Sequence, residues 1–167
     1  MPKFNSNTLR DDFESILLGE QAKYPLLYPE GSLRFNTQQR SISWGNRVIV
    51  YLGRSFSFLF SNPNEFTLQC VAKGRIPRFT RIMNGWGDWL LYGFQSKKDL
   101  KKVARCCLID LRVFRRYIVE GSIRPVRYDN HDGTEFLVFH LADFPMEMIV
   151  FSTHPIEDDR DVFELVS

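Results

Sequence analysis

Four cationic side chains, Lys73, Arg75, Arg78 and Arg81, precede a single carboxylate, Asp88, held between Trp86 and Trp89. Cations gathered this closely repel one another, and folding alone gives little reason to collect them; a polyphosphate partner does. Arg78 and Arg81, three apart on a helical turn, face one way and can straddle a backbone phosphate. Trp86 offers a ring face on which a base can stack, whereas Trp89 and Tyr92 lie in a run so apolar that core is the better reading. His131, His140 and His154 are far apart in the chain, with no ligand spacing linking them. Cys70, Cys106 and Cys107 form neither a disulfide framework nor a metal-ligand pattern, which leaves buried reduced thiols. There is no glycine-rich phosphate loop and no nucleophile elbow.

The charge is distributed unevenly. A formal net charge of +2 over 167 residues conceals a basic middle, with fourteen Lys and Arg against four acids between Lys73 and Arg127. From Tyr128 to Ser167 ten acids face one Arg. This is the pattern of a polyanion-binding face with an acidic tail, from about residue 153, able to screen it. A hydrophobic fraction of 44% is that of a globular chain, and 167 residues fit a single domain. No apolar run reaches the roughly 18 residues of a spanning helix, and the first residues lack the apolar centre of a secretory signal. The expectation is a soluble, cytoplasmic protein that does not engage membranes.

The elements that must position these residues follow from hydrophobic periodicity. Thr8 to Lys23 reads as a helix with Leu9, Phe13, Ile16 and Leu17 on one face, Asn7 as its cap, and Glu20 in an exposed last turn. Strands are expected at Ser32 to Thr37, Arg47 to Leu52, Phe56 to Phe60 and Glu65 to Val71, joined as an antiparallel meander with a hairpin through Gly53, Arg54 and Ser55 and a turn at Ser61 to Asn64. The basic stretch from Lys73 to Gly87 is a loop with a short helical turn at Arg78 to Met83, projecting between two strands that lie side by side. Further strands are expected at Asp88 to Phe94, buried on both faces, and at Val103 to Ile109. Asp110 caps a short helix with Leu111, Phe114 and Ile118 inward and Arg112, Arg115 and Arg116 outward, which Gly121 stops. Ile123 to Tyr128 and Glu135 to His140 flank the turn Asn130 to Gly133, and Glu147 to Ser152 is the last strand. The fold class is α+β: a central mixed sheet with a leading helix and one or two short helices.

In order along the chain, FESILLGEQAKY, WGNRVIVYL, TLQCVAKGR and NGWGDWLLYGF followed by CCLIDLRVFRRYI resemble the PD-(D/E)xK nuclease-like superfamily, in its small phage and mobile-element form. The resemblance implies a restriction-endonuclease-like sheet, a helix acid at Glu20, and an Asp, a Glu and a Lys on two strands that hold Mg²⁺ and act on the attacking water. Carried over residue by residue, those three fall on Asn46, Gln69 and Val71. Asn and Gln keep shape but not charge, so Mg²⁺ is expected only if Lys73, Asp88 and Glu20 replace what is missing. Another register takes Asp88 as the first acid and Asp110 with Arg112 as the acid and base, but Arg stays protonated. The implied function is a nucleic-acid-binding protein, with DNA favoured over RNA, whose catalytic set of Glu20, Asn46, Gln69, Lys73 and Asp88 is degenerate and whose contacts come from Lys73, Arg75, Arg78, Arg81 and Trp86. Two rivals stand beside it: a working Mg²⁺-dependent endonuclease using displaced carboxylates, and a protein-interaction module, directed at a host or phage protein, whose acidic tail imitates nucleic acid.

Overall fold

The computed structural model describes residues 4–56 and 62–160. Asn5 accepts a hydrogen bond from the Asn7 amide at 2.9 Å and opens a 3₁₀ turn, Ser6–Leu9, which runs into helix α1, Arg10–Lys23. Asn5 therefore caps the 3₁₀ turn, and α1 itself starts after Leu9 with no side-chain cap. Asn7 instead ties the turn to the sheet, donating to the Thr37 carbonyl at 3.0 Å and accepting from the Tyr51 hydroxyl.

Strands β1 (Leu33–Asn36), β2 (Ser41–Trp44), β3 (Arg47–Arg54), β5 (Trp89–Gln95), β6 (Val103–Asp110) and β9 (Ile149–Ser152) form one sheet in the order β1-β2-β3-β5-β6-β9. Strand β4 (Glu65–Val71) belongs to a second sheet, between no neighbours of the first, in the order β4-β8-β7 with β7 at Val126–Asp129 and β8 at Glu135–His140. Short helices α2 (Arg78–Met83) and α3 (Leu111–Val119) complete the chain. The central sheet is mixed, because β3 and β5 are parallel while the other pairs are antiparallel.

This arrangement corrects three expectations. The chain is no simple meander: β3 extends through Gly53 and Arg54, where a hairpin connection is expected, and β4, the next described strand, lies in the second sheet. The basic stretch does not join adjacent strands, since β4 and β5 lie in different sheets. The four-residue β2, SISW, is too short to register as a periodic run, yet Gly45 and Asn46 close a two-residue hairpin between it and β3. The expected strand at Phe56 to Phe60 falls largely outside the described residues, as does Ser61. The last strand is shorter than expected, with a 3₁₀ turn at Met146–Met148 before it.

The large sheet has a different layer on each face. Alternation along β3, β5 and β6 sends Ile49, Tyr51, Trp89, Leu91, Cys106 and Leu108 toward α1, and Val50, Leu52, Leu90, Tyr92, Cys107 and Ile109 toward the second sheet, α2 and α3. All seven residues of β5 are buried, as a strand covered on both faces requires. The second layer is fastened by aromatic rings: Phe66 stacks on Phe139 at 5.1 Å, and Phe114 meets Phe139 edge-on at 5.1 Å. Cys106 and Cys107 are buried on opposite faces, while Cys70 is only half-buried.

Helix α1 approaches the sheet closely because Gly53 and Gly93 are register partners on neighbouring strands. A β-carbon on Gly93 would stand 2.7 and 2.9 Å from the Phe13 ring, and one on Gly53 would stand 2.8 Å from Leu9. Fully burying Phe13, Leu9 and Leu17 contributes about 1.5–3 kcal/mol each, and that burial depends on the trough. Gly93→Ala is therefore expected to destabilise the fold by about 1–3 kcal/mol, as overpacking does, read as a lower urea midpoint at unchanged m-value. The smaller Phe13→Leu in the same chain should recover part of the loss.

Candidate anion-binding site

Where the end of β3 meets the end of β4, five arginines from four elements converge. Arg40 comes from the turn before β2, Arg54 ends β3, Arg75 lies in the loop after β4, and Arg78 and Arg81 lie on α2. A cleft of about 150 Å³ is lined by Arg40, Arg54, Arg75 and Arg78 with Leu52, Gln69 and Phe136. A second, of about 40 Å³, shares Gln69, Arg75 and Arg78 and adds Ile76 and Arg81. The larger hollow of about 390 Å³ beside Gly31 and Gly45 gathers no such group of charges, offering one Arg34 and one Glu30 among small residues.

The walls are fixed by ordinary bonds. Arg54 donates to the Thr67 carbonyl at 3.2 Å, the Thr67 hydroxyl at 2.9 Å and the Tyr92 hydroxyl at 3.1 Å, so one guanidinium bridges the two sheets. Arg75 donates to the Gln69 amide oxygen at 3.0 Å. Arg81 lies flat on Trp86, 3.6 Å from the ring centroid, and Arg78 approaches the same ring at 5.8 Å. Arg40 holds a left-handed backbone conformation, φ 54°, which a non-glycine residue adopts at some cost.

Arg78 is the residue whose bonding is incomplete. Its Nη1 is buried and has no hydrogen-bond partner. Burial, followed by the charges of Arg40, Arg54, Arg75 and Arg81, pulls its pKa down to about 9. Burial and the neighbouring Arg75 likewise lower that of Arg40. A folded-state value below the ordinary one means that the fold disfavours the protonated form, and at neutral pH Arg78 is protonated folded or unfolded, so the cost is carried in full. Among the described residues no carboxylate lies within ion-pair distance of Arg40, Arg75, Arg78 or Arg81. The site is rich in donors and short of acceptors.

The residues expected to form a catalytic set are dispersed. Asn46 is exposed in the hairpin before β3, whereas Gln69 faces Leu52 near the other end of that strand, about 20 Å away at the strand rise of 3.3 Å per residue. Asp88 is absorbed by the fold: its Oδ2 accepts from the Val48 amide at 2.7 Å, its own amide donates to the Val48 carbonyl at 2.7 Å, and its carbonyl accepts from Leu111 at 3.0 Å. Glu20 is not exposed as expected. It is half-buried on the α1 side of the large sheet, with Oε2 unpartnered, and its charge adds to the burial that raises the Tyr28 hydroxyl pKa. The sheet itself separates Glu20 from Gln69.

Lys73 also departs from expectation. It lines neither cleft, and its stem passes over Gly133 of the β7–β8 turn. Asp132 of that turn is held below the usual carboxylate range by hydrogen bonds from Thr134, with Lys73 adding to the effect. Asp110 caps α3 through the Arg112 amide at 2.9 Å and pairs with the Arg112 side chain at 3.3 Å, which fits a cap and not a catalytic acid.

The described part of the acidic tail does not cover the arginines. Glu157 donates its amide to Asn64 at 3.0 Å, Asp159 accepts from Asn62 and bonds His140 at 2.9 Å each, and Arg160 pairs with Asp143 at 2.7 Å. These contacts lie at the Glu65 end of β4, about 13 Å along the strand from Gln69. His140, Asp158 and Asp159 bring three potential metal donors together, but Asp159 is engaged by His140 and Asn62, and Asp158 by Arg160 at 2.9 Å.

Arg75, Arg78 and Arg81 are legible in the sequence from their spacing, whereas Arg40 and Arg54 reach the site only through the sheet pairing. No protein family, no curated protein and no solved structure matches this chain. No helix among the described residues is long and apolar enough to cross a membrane.

Proposed function

We propose that this chain binds nucleic acid, DNA in the first instance, by its phosphates in the arginine clefts, and that it does not cut it. The observation that carries the reading is the convergence of five guanidiniums, four with no carboxylate within ion-pair distance among the described residues and one with a buried donor left unbonded. Like charges held together at a cost are relieved by an anion, and planar guanidinium forks match phosphate oxygens two at a time. Gln69 supports the same reading: an amide leaves the charge of Arg75 in place where a carboxylate would cancel it. The nuclease-like part of the reading draws on the mixed sheet, in which the parallel pair β3 and β5 starts beside Asp88.

The donor set does not favour cutting. A hard divalent cation needs several anionic oxygens within about 2.0–2.6 Å, whereas Asn46 and Gln69 are neutral and stand about 20 Å apart along β3. Purified protein with Mg²⁺ or Mn²⁺ is expected to retain plasmid DNA uncut while shifting it in a gel. Asn46→Asp with Gln69→Glu should add no cleavage, because the two new carboxylates cannot share one ion. Metal-dependent nicking that disappears in Asp88→Ala would overturn the reading in favour of an endonuclease built on displaced acids.

A further inference from the structure

The size and charge of the arginine clefts say which phosphate they take. At about 150 and 40 Å³ they fall well below the roughly 300–1,000 Å³ of sites that enclose a whole small molecule. A phosphoryl group fits; the nucleoside attached to it stays outside. A phosphate within a strand carries one charge and two free oxygens, and both its ester oxygens lead away along the chain, so it meets a surface sideways. A terminal phosphomonoester carries a charge of about −1.5 to −2 at neutral pH and three acceptor oxygens, and it can enter end-on. Five cations are out of proportion to a monoanion. Arg78 supplies the independent sign: it lines both clefts, and its Nη1 is buried with no hydrogen-bond partner.

The position of the other arginines agrees with an end-on guest. Arg54 is pinned by Thr67 and Tyr92 and cannot swing out to follow a strand. Arg75 is braced on Gln69, whose side-chain oxygen accepts from it at 3.0 Å. Arg81 is flattened on Trp86 at the edge of the smaller cleft, where the first nucleotide beyond the phosphate would lie. From these we infer that the clefts form a pocket for the terminal phosphomonoester of a nucleic-acid strand. The inference rests on the nucleic-acid reading above and adds to it the kind of phosphate that is recognised.

The test compares short single strands of one sequence carrying a 5′-phosphate, a 3′-phosphate or hydroxyls at both ends, with an internal fluorophore read by anisotropy, and inorganic phosphate as competitor. At least one phosphorylated end should bind about tenfold or more tighter than the hydroxyl strand, the effect of one charge-assisted hydrogen bond or more. That preference should vanish in Arg78→Met, which keeps the stem and loses the fork, and shrink in Gln69→Glu, which places a carboxylate in the wall. Arg78→Lys, which retains the charge, serves if Arg78→Met does not fold, and should keep less than half of the preference. Equal binding of all three strands, lost in the Arg78 variant, overturns the terminal-phosphate inference and leaves the backbone-phosphate reading standing. Inorganic phosphate binding as tightly as the phosphorylated strand overturns the strand end as the source and assigns the pocket to a small phosphorylated molecule. Failure of every strand to bind overturns the terminal-phosphate inference, and overturns both readings where plasmid DNA is also left unshifted.

Discussion

Alanine at Arg78 and Arg81 together is expected to weaken binding to duplex of any sequence by on the order of 100-fold at low salt, since each lost charge-assisted contact is worth about 1.5–3 kcal/mol. The slope of log affinity against log salt should fall by about 1.8, the contribution of two displaced counterions. Stability should change little, for two opposing reasons. Removing Arg78 relieves a buried charge crowded by four others, while removing Arg81 uncovers Trp86 and forfeits a cation–π contact of about 0.5–2 kcal/mol. Arg78→Ala alone should therefore melt slightly higher than the parent. A gel-shift titration at two salt concentrations with a thermal melt on the same samples checks all three; equal affinity and equal salt slope for variant and parent would reduce the cluster to solvated surface.

Arg115→Ala should have the largest effect on stability. Its guanidinium donates to the carbonyls of Ile82 at 2.6 Å, Trp86 at 2.9 Å and Gly87 at 2.5 Å, closing the last turn of α2 and the chain leading to β5. Truncation leaves the Trp86 and Gly87 carbonyls without their donor, while Ile82 keeps the Gly85 amide at 3.0 Å, and hydrogen bonds to charged groups are worth about 1.5–3 kcal/mol each. Because water can reach part of the gap, the expected loss is about 3 kcal/mol, a melting temperature lower by about 6–12 °C for a domain of this size. Arg115→Lys, with a single point of charge, should recover less than half. A urea midpoint indistinguishable from the parent's would show that water replaces the guanidinium without cost.

Where local pattern decides structure, the sequence was readable. Glu65–Val71 and Glu135–His140 carry strand residues between turn formers, and both fall where periodicity places them. Asp110 caps α3, and Gly121 takes the left-handed conformation that ends it. What pattern does not carry is partnership between distant strands. Nothing in RVIVYL announces a parallel neighbour forty residues on, and nothing in FTLQCV sends it to another sheet. That ignorance propagates to the site. Arg40 and Arg54 look like isolated surface charges until β2, β3 and β4 bring them beside Arg75 and Arg78. Arg115, read as outward on α3, turns back to α2 for the same reason. Glu20 and Asp88 lie in the right order for a nuclease, but order along the chain does not specify which face of the sheet each will occupy.

Strand β4 waits for its partner. Cys70 meets the backbone of Glu135 on β8, 65 residues later in the chain, and β4 has no neighbour in the large sheet. At a synthesis rate of about 5–20 residues per second, the EFTLQCV segment emerges from the ribosome about 3–13 seconds before anything can pair with it. During that interval the nascent chain presents an apolar strand with two bare edges, the form most prone to join a copy of itself. Slower elongation lengthens the exposure, so yield of soluble protein should be governed by how quickly the chain is completed and by chaperone supply, more than by the stability of the finished fold.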